Sequence, residues 1–173
     1  YTTWILCPLF GHAPEGYFSH HMGMHHIENN MPDDTSSTMG YQRDSLRGFL
    51  AYFFRFIFRG VIDTIRYLFA RKRKKLYQRL TIGEYVYLLF CIGMCFVNLK
   101  ATLVVFIVPL LFARLVMMLG NWTQHAFIDA VEPENLYRSS INCINTVYNK
   151  TCWNDGYHII HHLRPGMHYT DMP

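Results

Sequence analysis

IGEYVYLLFCIGMCFV occupies residues 82–97, NLK residues 98–100 and ATLVVFIVPLLFARLVMML residues 101–119. Each apolar run approaches the ~17–25 residues that a bilayer needs. The polar break between them is too short for anything but a turn, so the stretch predicts a transmembrane helical hairpin over 82–119. Pro109 is expected to kink the second arm, which neighbouring helices tolerate in a membrane. Arg114, near the far end of that arm, can extend its charge to the interface.

Upstream stand Arg71, Lys72, Arg73, Lys74 and Lys75, followed by Arg79. Five consecutive basic residues suit either nucleic acid or the cytoplasmic flank of a membrane segment. Apolar runs of spanning length just downstream select the second, and no nucleic-acid partner is expected. Residues 71–81 then read as a basic cytoplasmic linker, and the turn at 98–100 lies on the far side. The chain from 120 onward returns to the cytoplasm. Residues 49–70 are aromatic but carry Arg55, Arg59, Asp63 and Arg66 in one narrow helical stripe. A charge at bilayer centre costs about 2.5–3.5 kcal/mol, so this segment is expected to lie flat as an interfacial amphipathic helix. The alternative is a spanning helix whose arginines face a bundle.

Composition agrees with alternating oily and polar segments. The 173 residues are 51% hydrophobic and 16% charged, against about 25% charged in an average soluble domain. Mean hydropathy is nevertheless only +0.05. Aromatics at 16% exclude a disordered, collagen-like or coiled-coil chain. The five cysteines include no CxxC pair, which points away from a disulfide framework or zinc ribbon and toward a reducing compartment. The chain opens at Tyr1 with no signal peptide, and a missing N-terminal part is expected. The expected fold is an all-α membrane protein. Residues 1–48 form a polar cytoplasmic segment with a loop at 31–38, 49–70 the interfacial helix, 71–81 the linker, 82–119 the hairpin and 120–173 a cytoplasmic histidine-rich helical cap.

The ten histidines are clustered. The first cluster is His20, His21, His25 and His26. The second position is His125, in NWTQH at 121–125. The third is His158, His161 and His162, with His168 shortly after. His12 stands apart and reads as an ordinary surface or core residue. On an α-helix His158, His161 and His162 share one face. His21 and His25 are also one turn apart, with His26 the next residue round, and Asn121 lies one turn before His125. Neutral imidazoles converging from several helices are ligands for a first-row transition metal. Seven or more are too many for one four-coordinate zinc, so two metals sharing the clustered histidines are expected. His20 and His168 adjoin the clusters outside that spacing. A pH-sensing cluster is the non-ligand alternative. Glu28, Asn121, Asp129 and Asp155 are the polar residues nearest the clusters that could orient the rings. Asn121 and Asp155 are best placed, and Asp155 suits a helix N-cap equally well. The clusters can meet only if residues 49–70 do not cross the membrane.

At HMGMHH (21–26), NWTQH (121–125) and HIIHH (158–162) the sequence resembles the membrane fatty acid desaturase family, and the hairpin between the first two motifs is also the family's arrangement. The resemblance covers nearly the whole chain. It implies a di-iron centre held by His21, His25, His26, His125, His158, His161 and His162 at the cytoplasmic face of a helical protein in the endoplasmic reticulum or a plastid membrane. It implies O2 as co-substrate, and a fatty acyl substrate, as acyl-lipid or acyl-CoA, that loses two hydrogens. The family also carries an earlier HxxxH box, which has no match here. His158 stands where front-end desaturases usually have Gln. No His-Pro-Gly-Gly haem motif occurs, so electrons are expected from a separate cytochrome b5 or ferredoxin.

An alkyl C–H offers a general base no acidity to exploit, which is why such chemistry needs a strongly oxidising metal site. A hydroxylase on the same scaffold would need the same ligands. An inactive hairpin-anchored scaffold lacking the first box is a third reading. A zinc hydrolase would want an HExxH-type motif, and none is present.

Overall fold

The computed structural model describes residues 2–129 and 131–173. Every regular element among them is helical: α1 (residues 2–9), α2 (residues 16–28), α3 (Leu46–Ala70), α4 (Lys74–Thr102), α5 (Val108–His125), α6 (Val147–Thr151) and α7 (His158–Leu163), then a 3-10 turn at Tyr169–Asp171.

The apolar stretch forms a hairpin. Lys74–His125 is a 52-residue helical run, interrupted at Asn98, where the backbone becomes extended. Asn98 makes the turn: its Oδ1 accepts the Ala101 N–H at 3.0 Å and its carbonyl accepts the Thr102 hydroxyl at 2.8 Å. The two arms run antiparallel. Tyr87 donates to the Phe106 carbonyl at 3.2 Å, Phe90 meets Phe106 edge to face at 5.0 Å, and Arg114 pairs with Glu84 at 3.4 Å. Pro109 has no N–H to give the carbonyl one turn back. The π-helical turn at Leu103–Ile107 absorbs that mismatch just before it. The first arm starts at Lys74 rather than at Ile82, so most of the stretch expected as a linker is helix.

Only 6% of the hairpin's most apolar 18-residue window is buried. Phe96 and Val97 are 88% and 76% exposed. The core helix of a soluble domain would be covered, whereas this one is long and apolar enough to cross a membrane. The N-terminal segment lies against it at two glycines. A Cβ on Gly11, whose φ is +79°, would stand 2.2 Å from the Pro109 carbonyl oxygen, and one on Gly83 would stand 1.9 Å from that of Pro14. Backbone meets backbone there, and Ala13 buries against Tyr87 and Cys91.

α3 begins at Ser45, whose hydroxyl accepts the Gly48 N–H at 3.3 Å. It has three faces. Tyr52, Phe56, Gly60, Thr64 and Leu68 are buried at four-residue intervals, and Tyr52 and Phe56 pack with Met118, Trp122 and Ala126 into a core. Beside that face Asp63 gathers Arg55, Arg59 and Arg66 at 3.6–3.7 Å. Phe54, Phe58 and Ile62 line the third face and are exposed. Near its C-terminal end α3 touches α2 and the loop after it, through Tyr67 to Glu28 and Thr64 to Thr35 at 3.2 Å. Tyr52 reaches Asn121 on α5 at 2.7 Å.

Candidate metal centre

The seven clustered histidines converge from α2, the end of α5 and α7 into two adjoining groups. His25, His125, His158 and His162 form a buried group. His21, His26 and His161 form a half-buried one. In the second group the three Nε2 atoms make a near-equilateral triangle with sides of 3.2, 3.1 and 3.0 Å. In the first, His158 Nε2 stands 3.1 Å from both His125 Nε2 and His162 Nε2. The groups touch where the rings of His26 and His162 stack at 4.5 Å.

Local backbone geometry makes this division. His21–His25 is a π-helical turn, and the wider turn brings residues five apart, rather than four, to one side. His21 therefore joins His26, while His25 points to the other group. The His21 and His25 rings still stack at 5.4 Å, as neighbours one turn apart, while serving different groups. On α7 His158 and His162 are one turn apart and share a group, whereas His161 joins the other. The three share one face of α7, as expected, and that face serves both groups. The first and third boxes each feed both groups, and the second gives His125 to the buried one.

Backbone and carboxylate partners fix two of the rings. The His25 Nδ1–H donates to Asp34 Oδ2 at 2.6 Å and the His125 Nδ1–H to the Ser139 carbonyl at 2.8 Å. A proton on Nδ1 leaves the Nε2 lone pair aimed inward. His158 Nε2 can donate to only one of its two Nε2 neighbours, so bare lone pairs face one another in the buried group. A cation held among them would offset that repulsion. Ligand nitrogens about 2.1 Å from an ion and at right angles stand about 3.0 Å apart, which matches the spacings here. Burial, reinforced by the neighbouring histidines, holds His21 and His158 well below the ordinary histidine range. Burial likewise lowers His161 and His162, and brings His26 and His125 to about 3. These rings are neutral donors. Burial also opposes ionisation of Asp34, but His25 beside it outweighs this and holds its carboxyl below the usual range.

The remaining sequence candidates lie elsewhere. His20 is buried next to α2's ligand turn, edge-on to Phe56 at 5.1 Å, with neither ring nitrogen partnered among the described residues. It belongs to neither group. His168 is exposed and accepts from Thr170. Asn121 donates to the Ser36 carbonyl at 2.9 Å and to Tyr52 Oη at 2.7 Å rather than touching a ring. Asp155 accepts from Gln124 at 3.2 Å and from Tyr148, so it ties α5 to the third box instead of capping α7. Glu28 takes Tyr67 and Arg71, and Asp129 takes Arg138. Sequence reasoning missed Asp34, Ser139 and Tyr17. Tyr17 stacks on His21 at 4.9 Å and, with Trp153, His161 and Tyr169, lines an open groove at the three-histidine group.

The chain matches the family model described as fatty acid desaturase over residues 2–173. No curated protein and no solved structure matches it. The match takes in all three histidine boxes and the hairpin between them, and on that extent the chain belongs to the fatty acid desaturase family.

Proposed function

We propose that this chain is a membrane-bound, O2-dependent fatty acyl desaturase with a di-iron centre. The observation that carries the reading is the division of seven histidines from three separated boxes into two adjoining groups. His25, His125, His158 and His162 would hold one iron, and His21, His26 and His161 the other. Irons held there would supply, with O2 as oxidant, two electrons from a separate donor and two protons from solvent, the power to take two hydrogens from a CH2–CH2 pair and leave two waters.

The chain's own residues have simpler tasks. Asp34 and the Ser139 carbonyl hold two rings in the tautomer that presents Nε2. The buried group excludes water. The groove lined by Tyr17, Trp153, His161 and Tyr169 gives an acyl chain, as acyl-lipid or acyl-CoA, a route to the three-histidine group. Cytochrome b5 or a ferredoxin is the electron donor this reading calls for.

The membrane reading rests on the exposed apolar hairpin. α3 fits an interfacial position: its apolar third face adjoins a charged stripe, and its contacts with the box-bearing segment extend from Thr64 to Tyr67 while Tyr52 holds Asn121. With α3 flat, residues 20–26 and 121–162 share the cytoplasmic face, in the endoplasmic reticulum or a plastid membrane.

The test is product mass and iron content. The intact protein in membranes, supplied with an electron donor and acyl substrate, should yield a product lighter by two hydrogens and hold two irons per chain. A product heavier by one oxygen would replace desaturase with hydroxylase. A protein with near-zero iron would end the di-iron reading.

A further inference from the structure

We propose that Asp34 is a positioning residue that serves the four-histidine group alone; the proposal rests on the metal-centre reading above. Asp34 sits on the loop between α2 and α3, in no regular element, and its side chain is completely buried. A carboxylate taken fully out of water persists only where hydrogen bonds and an opposite charge replace its hydration. All its partners are local. Oδ2 accepts from His25 Nδ1 at 2.6 Å and from the Asn30 N–H at 3.0 Å. Oδ1 accepts from the Ser36 N–H at 2.8 Å and the Ser36 hydroxyl at 2.7 Å.

The loop is anchored so that this contact cannot drift. The Asn30 amide oxygen accepts from the backbone and hydroxyl of Thr38 at 2.7 and 3.1 Å, and its nitrogen donates to the His125 carbonyl at 3.3 Å. Asn121 holds the Ser36 carbonyl from α5. The loop thus reaches His25 directly and His125 through its backbone, and both belong to the four-histidine group. Among the described residues none of its hydrogen bonds reaches His21, His26 or His161. A carboxylate on the far nitrogen of a ligating histidine sets its tautomer, fixes its ring and makes it a stronger donor, and losing such a partner typically weakens metal binding 10–100-fold. Asparagine at position 34 could turn its amide N–H toward Nδ1, which would favour the wrong tautomer.

The test is metal binding, not turnover. The intact protein, purified in detergent and stripped of metal, is titrated anaerobically with Fe(II) against a competing chelator. The wild type should bind two ions. Asp34→Asn should weaken one of them 10–100-fold and leave the other at wild-type affinity. Ser36→Ala, which keeps the carboxylate but removes one of its donors, should weaken the same ion several-fold. It decides the matter if Asp34→Asn fails to fold. Equal weakening of both ions, or wild-type binding of both in either variant, overturns the proposal, because a merely structural loop would disturb all of α2. A wild type that binds no Fe(II) defeats the metal-centre reading itself, which is a separate outcome.

Discussion

His21 and His26 stand five residues apart in the sequence, and their Nε2 atoms lie 3.1 Å from each other. The relationship exists because the turn between them is π-helical. Inserting one alanine after Met22 should place His21 six residues before His26 and swing it by about 100° away from that ring. The expected result is loss of about one bound iron and of activity, with helical content by circular dichroism unchanged. Retention of both irons would mean that the π turn is incidental.

The two groups should also respond separately to loss of a ligand. His125→Ala strikes the buried group and His161→Ala the half-buried one. Each should abolish activity and lower iron content from two toward one, since a lost ligand lowers affinity without requiring the helices to unfold. Near-normal turnover in either variant would contradict the assignment. Elemental analysis alongside thermal melting separates metal loss from misfolding.

Topology can be tested at the ends of α3. Asp44→Cys and Lys72→Cys, both exposed positions, in a background lacking the five native free cysteines, should both react with a membrane-impermeant reagent from the cytoplasmic side. Reaction from opposite sides would mean that α3 crosses the bilayer, which would carry residues 20–26 away from residues 121–162.

Acid should destabilise the metal-free protein. Burial in the folded state lowers His21, His158, His161 and His162 and brings His26 and His125 to about 3, whereas unfolded histidine titrates near 6.5. Below that value the unfolded chain binds more protons than the folded one, so stability falls as pH falls. His125, nearly fully buried, accounts for roughly 2 kcal/mol between pH 8 and pH 5. The ionised Asp34 adds loss of the same sign only below about pH 4. Melting temperature recorded from pH 8 to pH 5 should decline steadily, and a flat profile would refute the buried neutral cluster.

Much of this was legible in the sequence, for identifiable reasons. Apolar runs and a polar break are local signals, and Asn98 does turn the chain where the break falls. The histidines announce themselves by clustering, and all seven converge. Their division between two groups was not legible, because spacing arguments assume 3.6 residues per turn and the turn at His21–His25 departs from it. Asp34 escaped for another reason. It reaches His25 through the path of an irregular loop, which no periodicity reports. Asp155 illustrates the same limit: its position suited a cap, but Gln124 and Tyr148 are tertiary neighbours that sequence distance conceals.

The partners of His161 have a consequence for chain topology. His161 meets His21 and His26 across 140 and 135 residues. An ion shared by these rings closes a loop that takes in nearly the whole protein, much as a disulfide would. By chain-entropy reckoning a cross-link of that span is worth on the order of 5 kcal/mol. α7 is a six-residue helix, too short to be stable by itself, and depends on such a staple more than the hairpin does. Stripping the metal should therefore release the C-terminal segment first, leaving it open to proteolysis while the hairpin stays folded.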